Sequence, residues 1–132
     1  MFNYNTTRLE KNCRQLISDL GKILTWKWDD RFETVLAEFR VTEREKIHMG
    51  LIRHMSEIWE LDQGNSPPEL VQIIIDYFGG LTPGQTLFTS NPDQEGLLLC
   101  AWWPWGNGKT ISIRLGIFAD SLNDQDNEKL TQ

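Results

Sequence analysis

The sequence predicts an α+β domain in which about four N-terminal helices are followed by a three-stranded antiparallel sheet. Three observations support this prediction. Apolar residues recur at three- and four-residue steps over the first half of the chain, which is the period of an amphipathic helix. Apolar and polar residues alternate between positions 111 and 117, which is the period of a strand. Asn107-Gly108, which precedes this run, is the strongest short-range signal for a β-hairpin.

The first two helices are predicted from capping and periodicity. The capping box from Thr7 to Glu10 opens a helix that continues to about Leu24, because a hydroxyl and a carboxylate at this spacing satisfy free amides of the first turn. Apolar residues at helical spacing predict a second helix over 32–39. Aromatic and β-branched residues in the same stretch also favour a strand, so residues 26–40 stay open between the two structures.

Two further capping boxes, Thr42–Glu45 and Ser66–Glu69, predict a third helix over 43–61 and a fourth over 67–78. The fourth helix is apolar nearly all round, which is typical of a buried helix, and we expect it to lie against the sheet. Gly79-Gly80 ends it, because glycine adopts the left-handed conformation at a helix C-terminus without strain.

The predicted sheet is organised by a hairpin centred on Asn107-Gly108, in which a type I′ turn requires positive φ at both residues. This turn sets the register of the two strands. The predicted facing pairs are Trp102 with Ile113, Cys100 with Leu115, and Leu98 with Ile117. The first hairpin strand is apolar on both faces, which predicts an interior strand. Residues Thr86–Thr89 are predicted to form the third strand.

Length and composition indicate one domain over residues 1–120, followed by an acidic tail over 121–132 that is predicted to be disordered. The net charge of −6 disfavours nucleic acid as a partner, because it repels phosphate backbones. Cys13 and Cys100 stand in no metal-ligand spacing and are predicted to be reduced thiols. With no signal peptide and no apolar run long enough for a membrane span, we expect a cytoplasmic protein.

No catalytic residue, metal ligand or cofactor site is predicted. The triplet from Gly108 to Thr110 resembles the end of a phosphate-binding loop, but strands flank it where that loop needs a following helix. Glu45 and His48 have the spacing of a helical metal-ligand pair. A di-iron site of that kind needs a second such pair and two further glutamates, so a structural or surface role is the more common one for a single pair.

The candidate binding residues are Trp103, Trp105, Arg114 and Lys109, all of them in or beside the hairpin. Tryptophan and arginine are enriched among residues that dominate binding energy, and a guanidinium over an indole adds cation–π energy. Large aromatic side chains are more often covered by the protein's own helices, and that interpretation stays open.

The function predicted on this basis is a non-enzymatic protein-interaction module of the assembly-chaperone, adaptor or inhibitor type. It would bind a protein partner, or its own second copy as a homodimer, through the aromatic face of the sheet. The alternative is a small-ligand binding domain or an enzyme without a recognisable motif, with a pocket between the helix at 67–78 and the sheet.

Overall fold

A strand that is apolar on both faces is buried only if both faces of its sheet are covered. The computed structural model, which describes residues 4–61, 66–92 and 96–119, meets this requirement with a six-stranded antiparallel sheet between two helical layers. The described elements are, in order, α1 (Tyr4–Leu20), β1 (Lys27–Asp29), β2 (Thr34–Arg40), a 3-10 turn (Val41–Glu43), α2 (Arg44–Ile52), β3 (Glu57–Glu60), α3 (Glu69–Tyr77), β4 (Thr86–Thr89), β5 (Gly96–Pro104) and β6 (Thr110–Ala119). The strands lie in the order β1-β2-β6-β5-β4-β3.

The predicted count of four helices followed by three strands is therefore wrong. The described residues form three helices and six strands, and the two kinds of element are interleaved along the chain. Residues predicted as a second helix form β2 instead, in which Ala37 and Phe39 are buried on one face while Glu38 and Arg40 are exposed. Because this stretch pairs with β6, it forms a strand and not the helix that its apolar spacing also fits.

The predicted third helix is too long. It ends at Ile52, and residues Glu57–Glu60 form the edge strand β3, which pairs with β4. Tertiary contacts favour a strand over a continued helix here. Trp59 packs beside the α3 layer, and its indole Nε1 donates to Thr89 Oγ1 at 3.0 Å. A helix continuing to Leu61 would leave β4 without this neighbour.

None of the three predicted capping boxes stands at the start of its helix. Helix α1 begins at Tyr4 and ends at Leu20, so Thr7 lies within the helix. Helices α2 and α3 begin after Glu43 and Pro68, and neither of these residues makes a side-chain capping hydrogen bond. The expectation for the end of α3 is confirmed: Gly79 and Gly80 have φ of 90° and 98°, and Gly80 N donates to Ile75 O at 2.8 Å.

The two helical layers divide the core in two. Helices α1 and α2 cover the sheet face that carries Leu98, Cys100 and Trp102 of β5. Helix α3 covers the opposite face, which carries Leu97, Leu99 and Ala101. The predictions that β5 is an interior strand and that the fourth helix lies against the sheet are both confirmed.

The sequence predicted that helix α3 is buried on all sides, and this prediction is wrong. Val71, Ile74 and Ile75 face the sheet, whereas Ile73 is 39% exposed and Tyr77 is 52% exposed. A single helix on this face has no further layer outside it, so its outer apolar residues contact solvent.

Helices α1 and α2 pack closely at one glycine. A Cβ atom at Gly50 would lie 2.7 Å from Leu20 Cδ2, which is closer than side chains approach in a packed core. Beyond the end of α2, His54 Nε2 lies 2.8 Å from Asp19 Oδ2 and joins the two helices at the surface.

The hairpin register is confirmed in every predicted pair: Trp102 with Ile113, Cys100 with Leu115, and Leu98 with Ile117. The turn itself differs from the predicted type I′. Gly108 has φ of 72° and donates its amide to Trp105 O, but Asn107 does not have positive φ. Asn107 acts through its side chain, because its Oδ1 accepts from Lys109 N at 2.8 Å and from Thr110 N at 3.1 Å.

The glycine at the end of α3 supplies a first prediction. We expect Gly79→Ala to lower the free energy of unfolding by about 1 kcal/mol, because an L-residue is strained at this positive φ. Gly106→Ala is the matched control, since Gly106 does not have positive φ and has open space around its Cα. Urea denaturation of both variants measures the difference, and equal midpoints would contradict the left-handed cap.

Candidate functional site

The four predicted binding residues occupy different environments. Trp103 and Trp105 are two residues apart on β5 and its extension, with Trp103 half-buried and Trp105 43% exposed. Arg114 lies on β6 opposite Ala101 and is largely covered. Lys109 is exposed in the hairpin loop, where its carbonyl accepts from Val41 N at 2.9 Å.

Arg114 is held by contacts within the chain. Its Nε donates to Asp29 Oδ2 at 2.8 Å, and both side chains are mostly buried. Its guanidinium carbon also lies 4.6 Å from the centroid of the Trp103 ring and 5.2 Å from that of Phe32. The guanidinium therefore contacts two neighbouring aromatic rings, and its main role is to join β1, β6 and the Trp103 ring.

Phe32 is the centre of an aromatic cluster that the sequence did not predict. Its ring centroid lies 5.0 Å from that of Phe78, 5.9 Å from that of Tyr77 and 5.9 Å from that of Trp103. The hydroxyl of Tyr77 donates to Phe32 O at 3.0 Å. These contacts hold the β1–β2 connection against α3. They join residues about 45 to 70 positions apart, so no local pattern indicates them.

A cavity of about 140 Å³ lies between α3 and the sheet, beside the aromatic cluster. Most of its lining is apolar and comes from α3, β5, β6 and the β1–β2 connection. The lining residues are Phe32, Glu33, Thr34, Ile74, Tyr77, Phe78, Leu99, Gly116, Ile117 and Phe118. The cavity therefore lies at the place where the alternative interpretation expects a pocket.

A second surface feature is the part of the sheet around Trp105. Trp105 is bonded through its backbone amide to Thr110, which pairs with Arg40 of β2. Arg40 and Glu38 are exposed side chains on the α3 side of the sheet, beyond the strands that α3 covers. We call Trp105 with these two residues the Trp105 surface.

The residues that resemble a metal-ligand pair are His48, which packs against the core, and Glu45, which is exposed. The His48 ring stands edge-on to Phe88 and Trp102, with centroid distances of 5.3 and 5.9 Å. Glu45 and His48 line a shallow depression of about 340 Å³ on α2. Within the described ranges, no three histidine, cysteine or acidic side chains are grouped so that they could hold a metal ion.

The two cysteines are free thiols held in the protonated form by burial. Cys100 is fully buried, and burial raises its pKa far above the ordinary value. Burial also raises the pKa of Cys13 to about 11. A nucleophilic cysteine needs the opposite shift, so this environment suits a packing role for both side chains.

Comparison with known proteins adds no constraint on the site. No protein-family model, no curated protein and no solved structure matches this chain. Along the described part of the chain, no helix has the length and apolar character needed to cross a bilayer. The cavity and the Trp105 surface are therefore the two features of the molecule that indicate a function.

The two hairpin tryptophans should respond differently to substitution. We expect Trp103→Ser to lower the free energy of unfolding by about 2–4 kcal/mol, because it removes a ring that packs against Phe32, Phe78 and Arg114. Trp105→Ser should change it by less than about 1 kcal/mol, since Trp105 is exposed. Urea denaturation followed by circular dichroism measures both values. Equal losses in the two variants would be inconsistent with these environments.

The ion pair of Asp29 predicts a pH dependence of stability. The hydrogen bond from Arg114 lowers the pKa of the Asp29 carboxyl, and the backbone amide of Arg31 lowers it further. A carboxyl whose pKa is lower in the folded state stabilises the fold above its unfolded pKa of about 3.9, and this contribution is lost as the pH falls below that value.

We therefore expect Asp29→Asn to reduce stability at pH 7 and to flatten the further loss of stability below about pH 4. Glu38→Gln, which removes an exposed carboxylate on the neighbouring strand, is the control and should keep the steep wild-type loss. Urea midpoints between pH 2 and pH 7 test this. An unchanged pH profile in Asp29→Asn would show that the pair contributes no pH-dependent stability.

Proposed function

We propose that the protein is a non-enzymatic protein-interaction module of the adaptor, assembly-chaperone or inhibitor type, which binds a partner protein through the Trp105 surface. The observation that carries the proposal is the 43% exposure of Trp105 on a sheet face that α3 covers only in part. A tryptophan in this position offers a large apolar contact area with few rotatable bonds, which favours a role as an anchor.

The charges around Trp105 indicate the chemistry of the partner. Arg40 accompanies one acidic residue, Glu38, on the Trp105 surface, and Lys109 lies in the adjoining loop. This local excess of positive charge contrasts with the net charge of −6 for the whole chain. An acidic partner segment that places an aliphatic or aromatic side chain on Trp105 would be complementary, whereas the rest of the surface would repel it.

The roles of the four predicted residues separate under this proposal. Trp105 would be the anchor, and Lys109 would attract the acidic segment. Trp103 and Arg114 would support the surface from below. The ring of Trp103 already packs against Phe32, and the guanidinium of Arg114 is already paired with Asp29. A second copy of this acidic chain is a partner of the required charge, so self-association is one outcome that the test separates.

The test compares Trp105→Ser with Trp28→Ser. Trp28 is 59% exposed and lies on edge strand β1 with its side chain on the opposite face, so it is a matched control for loss of an exposed tryptophan. Each variant and the wild type would capture cross-linked partners from native extract, and the captured protein would then be purified for titration. We expect Trp105→Ser to raise the dissociation constant of the captured protein at least tenfold, which corresponds to a loss of about 1.4 kcal/mol of binding free energy. Trp28→Ser should bind that protein like the wild type.

Two further measurements complete the test. Lys109→Glu should slow association and reduce the dependence of binding on salt, because it removes an attractive charge. Sedimentation velocity over a range of concentrations detects self-association, which Trp105→Ser should reduce. If no protein binds the wild type in preference to Trp105→Ser and the chain stays monomeric in both, the proposal is wrong.

A further inference from the structure

The Trp105 surface has a candidate occupant within the same chain. Residues 120–132, which we call the C-terminal segment, follow the end of β6 and lie outside the described residues. The segment carries one lysine against four acidic residues, which are Asp120, Asp124, Asp126 and Glu128. Two aliphatic residues, Leu122 and Leu130, stand among these charges. The segment therefore combines acidic charge with an apolar side chain, which is the chemistry that complements the Trp105 surface.

The C-terminal segment is long enough to reach Trp105. Strand β6 runs from Thr110, whose carbonyl accepts from Trp105 N, to Ala119. A strand rises about 3.3 Å per residue, so Ala119 lies about 30 Å from Trp105 along the sheet. Leu130 can extend about 36 Å beyond Ala119, whereas Leu122 can extend only about 10 Å. Leu130 can therefore contact Trp105, and Leu122 cannot.

The charges along this path match those of the C-terminal segment. Glu38 and Arg40 of β2 are exposed on the α3 side of the sheet, beyond the strands that α3 covers. With Leu130 docked, Glu128 comes within reach of Arg40, because it stands two positions earlier in the chain. Lys129 comes within reach of Glu38. Exposed ion pairs of this kind are weak, so they select the direction of docking more than they add affinity.

The covalent link makes a weak contact sufficient. One leucine on one exposed indole, with two exposed ion pairs, is a small contact that would bind a separate peptide only weakly. A short linker gives the attached group an effective concentration in the millimolar range. Within one chain, a contact with a dissociation constant in that range is about half occupied.

We propose that the C-terminal segment folds back along the α3 side of the sheet and places Leu130 on Trp105. The segment occupies the Trp105 surface in the free protein and competes there with an acidic partner segment. The docking itself needs no partner, whereas the competition rests on the proposed function.

The test follows the indole N–H signal of Trp105 in NMR spectra of the full chain, where Trp105→Phe identifies the signal by its loss. We expect Leu130→Ser to shift this signal, because the indole loses its apolar cover. Leu122→Ser is the matched control. It removes the same side chain from the same segment, at a position that cannot reach Trp105, and should leave the signal in place. In the wild type, magnetisation should pass between the Leu130 methyl groups and the Trp105 ring.

A second pair of variants tests the charges. Glu128→Lys should shift the Trp105 signal in the same direction as Leu130→Ser, because it replaces attraction to Arg40 with repulsion. Asp120→Lys also reverses an acidic charge, but next to the end of β6, and should leave the signal in place.

Three results would overturn the docking. The Trp105 signals of the wild type and Leu130→Ser could coincide, or Leu130→Ser and Leu122→Ser could shift the signal equally. The third is magnetisation transfer from Leu130 to Trp105 only between differently labelled chains, which would assign the surface to the segment of a second copy.

Failure of the docking and failure of the proposed function give different results. If Trp105→Ser loses a captured protein while the C-terminal variants leave the Trp105 signal unchanged, the docking is wrong and the proposed function stands. If Leu130 contacts Trp105 but no protein binds through Trp105, the docking stands and the proposed function is wrong. If both hold, Leu130→Ser should lower the dissociation constant of the captured protein about twofold, because the surface is no longer half occupied.

Discussion

The structure depends on the need to bury β5 on both faces. Its residues Leu97 to Trp102 are all apolar, so a sheet with one solvent-exposed face would leave every second one in water. The chain meets this constraint with α1 and α2 on one face and α3 on the other. All three covering helices precede the central hairpin in the chain.

Helix α3 covers only part of its sheet face, whereas α1 and α2 together cover the other. The cavity and the Trp105 surface both lie on the face that α3 covers in part. The helix is short, and Phe32 from the β1–β2 connection completes the cover at one end by packing on Tyr77 and Phe78. The cavity lies where the helix, the connection and the sheet meet. Beyond the helix, the sheet carries charged side chains and Trp105 at its surface.

The two candidate sites share one supporting unit. Arg114 is bonded to Asp29 and contacts the rings of Phe32 and Trp103, so it connects the edge strand β1 with the centre of the sheet. Phe32 contributes to the cavity wall, and Trp103 lies beneath the surface next to Trp105. A guanidinium without such partners would be costly to bury, which explains why its aromatic and acidic contacts occur together.

The sequence by itself determined the hairpin register, the interior position of β5, the strand Thr86–Thr89 and the helix that ends at Gly79-Gly80. Each of these has a local cause: a period-two pattern, a turn or a glycine with positive φ. Residues 57–60 were mispredicted as helix, and residues 32–39 were assigned to a helix with a strand left open. The apolar spacing of both stretches fits a helix as well as a strand, and only pairing with β4 and β6 decides between them. For the candidate site, the sequence indicated Trp103, Trp105, Arg114 and Lys109 by residue type. Tertiary structure alone decided that Arg114 pairs with Asp29, 85 positions away, and that Phe32 and Thr34 meet α3 at a cavity, because such contacts between distant residues have no local signature.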